Sequence, residues 1–144
     1  MKSLLFALIL TFTMVSTPFP AGNPKAILEM KQNTVSSLLI GLNSSNLGLK
    51  SSSAYMLGEL KVTSAVIPLM RILHENKNED LRIAAALALY KIGTPLAINA
   101  VKQSVRFDNS ERVNKLCASF YNEYQRNKHV DEEKYQYVVN LEEK

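Results

Sequence analysis

The chain matches itself when displaced by 32 residues, and that internal period restricts the fold more than any other feature of the sequence. Leu49 meets Leu81, Lys50 meets Arg82, Ala54 meets Ala86, Leu57 meets Leu89 and Leu60 meets Ile92. The register continues without a gap, with Ala65 on Ala97, Val66 on Ile98, Leu69 on Val101 and Leu73 on Val105. A single amphipathic helix aligned by chance would not extend through two segments and the break between them. A third, partial copy follows at the same spacing, carrying Glu79 to Glu111, Leu81 to Val113, Ala84 to Leu116, Ala86 to Ala118 and Leu89 to Tyr121. Units of this length cannot bury their apolar faces alone, so they are expected to stack on one another into a continuous core.

Within each unit apolar residues recur every three or four positions, which predicts helices, and the breaks carry capping residues. The first complete unit pairs a helix near 47–60 with one near 64–74, which Thr63 is placed to cap. In the next unit Asn78 is the expected N-cap, with Glu79 and Asp80 where the positive end of the helix dipole favours acids. Gly93 ends that helix, Thr94 caps its successor near 95–106, and Pro95 suits the first turn because no intrahelical donor is needed there. Only 5 Gly and 5 Pro in 144 residues agree with a helical chain.

Asn23-Pro24 opens an earlier helix to about Leu42, with Leu28, Val35, Leu38, Leu39 and Leu42 as apolar contacts. Displaced by 31 it fits a second-type helix, with Val35 under Val66 and Leu38 under Leu69, and it would cover the open end. The third unit is expected near 110–126, followed by a polar connector, Gln125 to His129. The tail reads two ways: Tyr135, Tyr137, Val139 and Leu141 alternate as in a strand, whereas Tyr135, Val138 and Leu141 fit a short capping helix. The expected organisation is a domain over residues 23–144, comprising a partial unit 23–45 and units 46–76, 77–108 and 109–144.

Ahead of it stands Met1-Lys2-Ser3, then an apolar run from Leu4 to Val15 broken only by Thr11 and Thr13, then Ser16 to Gly22 with Pro18 and Pro20. A positive start, a short apolar core and a small or helix-breaking end predict a cleaved signal peptide over residues 1–22. The run is about 12 residues, short of the roughly 20 that a bilayer crossing needs. The expected product is exported, periplasmic or secreted, with no stable membrane span after leader removal. No cysteine near the boundary offers a lipid attachment point. Cys117 is the only cysteine, so no intrachain disulfide forms, and its apolar neighbours predict a buried thiol.

The run from Leu81 to Ala97, with Arg82, Gly93-Thr94 and Pro95, resembles a HEAT repeat of the shorter type first named from phycobilisome lyases. Ala54 to Leu60 is similar, down to its Leu-Gly-Glu-Leu ending, and the matching units cover roughly residues 47–124. The resemblance implies an all-α fold: a short right-handed α-solenoid of stacked antiparallel helical hairpins. It also implies that Arg82 and Lys50 are structural. The third unit departs from the pattern, because Asn114 replaces the basic residue and no Gly follows the helix. Thr94-Pro95-Leu96 resembles the ankyrin signature, but the residues 32 positions earlier are Val62-Thr63-Ser64, so it does not recur. Tetratricopeptide spacing finds no support either, and the chain has no Trp.

Catalytic patterns are missing. His74 and His129 lack a second ligand at metal-binding spacing, the serine clusters lack a nucleophile elbow, and the glycines frame no phosphate loop. No cofactor and no metal are expected, and no bilin-handling motif can be matched, so the chain reads as a non-enzyme. In HEAT arrays the second helices commonly line the concave side, which implies a candidate partner-binding face of Ile67, Met70, Arg71 and His74, with repeat equivalents Asn99, Lys102, Gln103 and Arg106. Apolar residues beside basic ones form a recognition strip or an ordinary solvated face. The leading expectation is a noncatalytic protein-protein interaction module or scaffold with another protein as partner. A self-assembling envelope protein is the alternative. Nucleic acid is not the expected partner, because that strip lacks aromatics for base stacking and the leader points to export. The net charge of +4 is too mild to name a ligand.

Overall fold

In a computed structural model, residues 24–142 are described, and the expected leader lies outside them. Six helices follow in order: α1 (Pro24–Gly41), α2 (Leu47–Glu59), α3 (Val66–Glu75), α4 (Glu79–Ile92), α5 (Pro95–Phe107) and α6 (Glu111–Glu142). There is no strand among the described residues. The first helices α2, α4 and α6 stack in sequence, α3 and α5 pack against α4, and α1 packs against α2. Val66, Leu69 and Leu73 of α3 join Leu57, Leu89, Val101, Val113 and Cys117 in one buried core, as the apolar spacing predicts.

The 32-residue period is written into the loops atom by atom. Before α2, α4 and α6, a side chain accepts from the backbone N–H two residues on: Ser44 Oγ from Asn46 at 3.1 Å, Asn76 Oδ1 from Asn78 at 2.9 Å, and Asp108 Oδ1 from Ser110 at 2.8 Å. The residue so held is then the N-cap, with Asn46 accepting from Leu49 N, Asn78 from Leu81 N and Ser110 from Val113 N. Because α1 precedes the first of these loops just as α3 and α5 precede the others, α1 occupies the place of a second-type helix. Equivalent residues of neighbouring units also touch, as in the ion pairs of Glu59 with Lys91 and of Asp80 with Arg112.

Gly93 closes α4 in the left-handed conformation, at φ 72°, and Thr94 Oγ1 caps α5 by accepting from Ala97 N at 3.3 Å. Its equivalent Lys61 takes the same conformation at φ 49°. Lys61 N–H donates to Gly58 O and Val62 N–H to Leu57 O, the pair of bonds that ends a helix in a Schellman turn.

Three expectations are corrected. Thr63 does not cap α3: it lies inside a 3-10 turn, Thr63–Ala65, and α3 starts at Val66 without a side-chain cap. A helix starting at Ser64 would need a donor from residue 68, and Pro68 has none; with Val66 as the start, Pro68 falls in the first turn, where no donor is missed. The third unit is no hairpin, because α6 runs unbroken through the expected connector and tail. Gln125, at the place of Gly93 and Lys61, stays helical, and no Gly or Pro interrupts residues 111–142. Finally, Leu28 is exposed rather than a core contact, whereas Val35, Leu38 and Leu39 are half-buried and Leu42 is buried.

Candidate partner-binding site

The structure places the eight strip residues on α3 and α5, four on each, at equivalent positions 32 residues apart. Ile67, Arg71, His74, Asn99, Lys102, Gln103 and Arg106 are exposed, while Met70 is half-buried and packs against the core. His74 and Gln103 meet in a cleft of about 550 Å³ between the α3–α4 and α5–α6 loops. Arg71 lines an adjoining groove of about 250 Å³ with Lys50 and Leu42, toward the α1–α2 corner, and Glu75 and Asn76 border both spaces. Lys102 reaches over α6, its ammonium 5.6 Å from the centre of the Tyr121 ring.

The cleft is built on a buried ion pair. Arg82 Nε donates to Asp108 Oδ2 and its Nη2 to Oδ1, both at 2.9 Å, while Nη1 donates to the carbonyls of Asn76 at 2.8 Å and Lys77 at 3.3 Å. One guanidinium therefore ties the α3–α4 loop to the α5–α6 loop. Its planar fork suits the two carboxylate oxygens, and the extra carbonyl contacts offset its burial. Asn114 stands 32 residues on and repeats the carbonyl contact, Nδ2 donating to Asp108 O at 3.2 Å. It keeps the donor and drops the charge, so at this position the third unit retains the contact that the basic residue makes in the second.

Around this pair Asn114 Oδ1 is buried without a hydrogen-bond partner, and two further groups stand at the cleft itself. Ser104 Oγ lines the cleft, buried and without a hydrogen-bond partner, and Phe107 at its rim is 78% exposed. Glu75, Lys77 and Glu79 add charge of both signs. The result is a mostly polar recess with a buried hydroxyl inside and an aromatic ring at the mouth, suited to holding a polypeptide segment by one side chain and its neighbouring amides. Sequence reasoning missed both Ser104 and Phe107. Phe107 lies off the apolar stripe of α5 formed by Ile98, Val101 and Val105, and a large aromatic residue in that position was the available signal.

Cys117 is buried, and removal from water, with the Asp108 carboxylate adding to it, pushes its thiol up to about 12. It stays protonated near neutrality and is a poor nucleophile. On the outer side of the first helices Lys91 bonds Glu59 across units and lies 4.8 Å from the Tyr55 ring centre. The hydrogen bond from Lys91 holds the Glu59 carboxyl below the usual carboxylate range, and the same bond raises Lys91. Among the described residues no group of three His, Cys, Asp or Glu side chains could hold a metal ion, and no helix is long and apolar enough to cross a membrane.

One loop and one helix cap, repeated at fixed spacing through stacked helices, define an all-helical repeat module. The family model for HEAT repeats matches residues 35–119, more than half of the chain, and the chain belongs to the HEAT-repeat family. HEAT repeats generally mediate protein–protein interaction or scaffolding. A search of the curated proteins finds no match to the chain.

Proposed function

We propose that the chain is an exported, noncatalytic interaction module that holds another protein against α3 and α5, anchored at the cleft around Ser104 and Phe107. The observation that carries this reading is Phe107, 78% exposed at the mouth of a recess that contains a buried hydroxyl with no partner. An aromatic side chain in water at the mouth of a polar recess is covered by an incoming chain that packs on the ring and bonds the accessible polar groups beside it. His74 and Gln103 line the same recess and supply further polar contacts.

Affinity capture from an envelope extract tests the assignment. A protein recovered by the wild type and lost with Phe107→Ala supports the anchor, because an exposed ring can be truncated without opening the core. Recovery of the same protein by both variants removes the cleft from the reading, and the triple variant Arg71→Glu, Lys102→Glu, Arg106→Glu then asks whether the wider strip is used. Export rests on the leader pattern of residues 1–22 and is read by intact mass. Material from the envelope or medium is expected to lack about 22 residues, and a full-length mass confined to the cytoplasm would end that part of the proposal.

A further inference from the structure

The cleft around Arg82 has a counterpart one unit earlier. Displaced by 32 residues, its lining residues His74, Arg82, Gln103, Phe107 and Asp108 become Leu42, Lys50, Arg71, Glu75 and Asn76, all of which line the adjoining groove of about 250 Å³. The two spaces are one site of the repeat formed twice, each time between the loop ahead of a first helix and the same loop of the next unit.

Their charges differ. In the second space Asp108 receives Arg82 through two hydrogen bonds of 2.9 Å, and the carbonyls of Asn76 and Lys77 take a further N–H. In the first space the residue at the place of Asp108 is the neutral Asn76. Asn76 Oδ1 accepts from Asn78 N–H just as Asp108 Oδ1 accepts from Ser110 N–H, so the turn is kept and the charge is lost. A second cation, Arg71, stands where the second space has Gln103. Among the described residues neither the half-buried Lys50 nor the exposed Arg71 has a side-chain hydrogen bond or ion pair within the chain. Glu75, the one carboxylate lining the groove among them, is paired with neither.

We infer that the Lys50–Arg71 groove binds an acidic side chain of the partner polypeptide, whose carboxylate takes the place that Asp108 fills in the next unit. This rests on the reading of the neighbouring cleft as the anchor for that polypeptide. Two like charges lining one small groove repel each other, and an incoming anion is attracted by both. A carboxylate is the group that the repeat itself sets on the cation at this position, and it accepts from an ammonium and a guanidinium together. In the second cleft Glu75, Glu79 and Asp108 outnumber Lys77 and Arg82, so the acid is directed to the first. The fold also sets a spacing. The second helices α3 and α5 are in contact, packed helices lie about 8–10 Å apart, and an extended chain advances about 3.3 Å per residue. The acidic residue therefore falls about three positions from the residue that covers Phe107.

Panning a displayed library of random peptides of about 12 residues, long enough to span both spaces, against the protein as recovered from cells tests the inference. The peptides recovered are expected to carry Asp or Glu at that spacing, and replacing the acid by its amide should weaken binding about tenfold. Lys50→Gln with Arg71→Gln should remove the acidic preference. Asn76→Asp supplies the carboxylate within the chain, keeps the loop bond, and should remove the preference without lowering the melting temperature, which covers the case of a misfolded double variant. A titration that needs no partner runs beside the panning: the Arg71 Nε–H resonance is expected to shift saturably with an aspartate capped as acetyl and methylamide, and not with the capped asparagine. Peptides without acids, a preference that survives both sets of substitutions, or equal shifts from the two capped residues would overturn the inference. So would inorganic phosphate binding more tightly than the capped aspartate, which would assign the groove to phosphate. An acidic preference that persists in Phe107→Ala at unchanged peptide recovery supports the groove and removes the anchor alone.

Discussion

Between α2 and α4 the closest approach is Gly58 against Ala88, whereas between α4 and α6 the equivalent residues are Tyr90 and Phe120, stacked 5.7 Å apart. A Cβ at position 58 would stand 2.7 Å from Ala88 Cα, so the first junction brings backbone almost onto backbone. The second fills the same place with two rings. Their polar contacts differ as well. Glu59 and Lys91 bridge the first junction at the surface, while Arg82 and Asp108 lock the loops beside the second in near-complete burial. A solenoid with one repeat length thus tolerates unlike contents at successive junctions, provided the two facing residues are matched in size. One junction depends on atoms that are missing and the other on atoms that are present, so opposite substitutions should break them.

The largest effect is expected at the ion pair. Asp108→Ala leaves Arg82 buried without its carboxylate and should destabilise the fold by about 3–5 kcal/mol in urea titration. A loss under about 1 kcal/mol would mean that the carbonyls of Asn76 and Lys77 suffice. Phe120→Ala, which empties one side of the second junction, should follow at about 2–4 kcal/mol, reduced from the fully buried range because Phe120 is half-buried.

At the first junction the sign of the size rule reverses. Gly58→Ala should destabilise by about 1–3 kcal/mol through overpacking, although alanine is the better helix former by about 1 kcal/mol. The double variant Gly58→Ala, Ala88→Gly should recover little, because the tightest contact is with Ala88 Cα, which glycine keeps; full recovery would assign the cost to the Ala88 methyl instead. A smaller change separates the two helix ends. Lys61→Gly, placing in the first unit the glycine that the second has at Gly93, should raise the melting temperature and stabilise by about 0.5–1 kcal/mol.

The surface pair should contribute least, with a defined pH dependence. Glu59 titrates below its ordinary value, so the pair stabilises the fold above the usual carboxylate range and fades as the pH falls through the lowered value. The difference in melting between wild type and Glu59→Gln should be present at pH 7 and fade in acid below the usual carboxylate range. A difference that persists there would assign the effect to packing.

Much of this architecture was legible in the chain itself. The period, the helices, the caps Asn78 and Thr94, the left-handed Gly93 and the buried positions Val66, Leu69 and Leu73 all follow from local spacing and backbone preference. The site was legible only in part. The strip on α3 and α5 follows from the apolar spacing, but the cleft beside it also takes Phe107 and the Arg82–Asp108 pair, which no local pattern brings together. The partner of Arg82 lay 26 residues away, with nothing in the local pattern of Asp108 to mark it.

By itself the sequence determined the repeat, because periodic apolar residues and capping side chains act within a few positions of one another and leave the chain few alternatives. The tertiary structure decided how units meet: that Asp108 rather than any other acid receives Arg82, that Gly58 rather than another glycine marks a close approach, and that Leu49 is left in water while Leu81 and Val113 are covered. The reason is physical. Burial belongs to a residue and whatever stands next to it, so three repeat-equivalent positions with apolar side chains acquire different fates according to whether, among the described residues, a first helix precedes them.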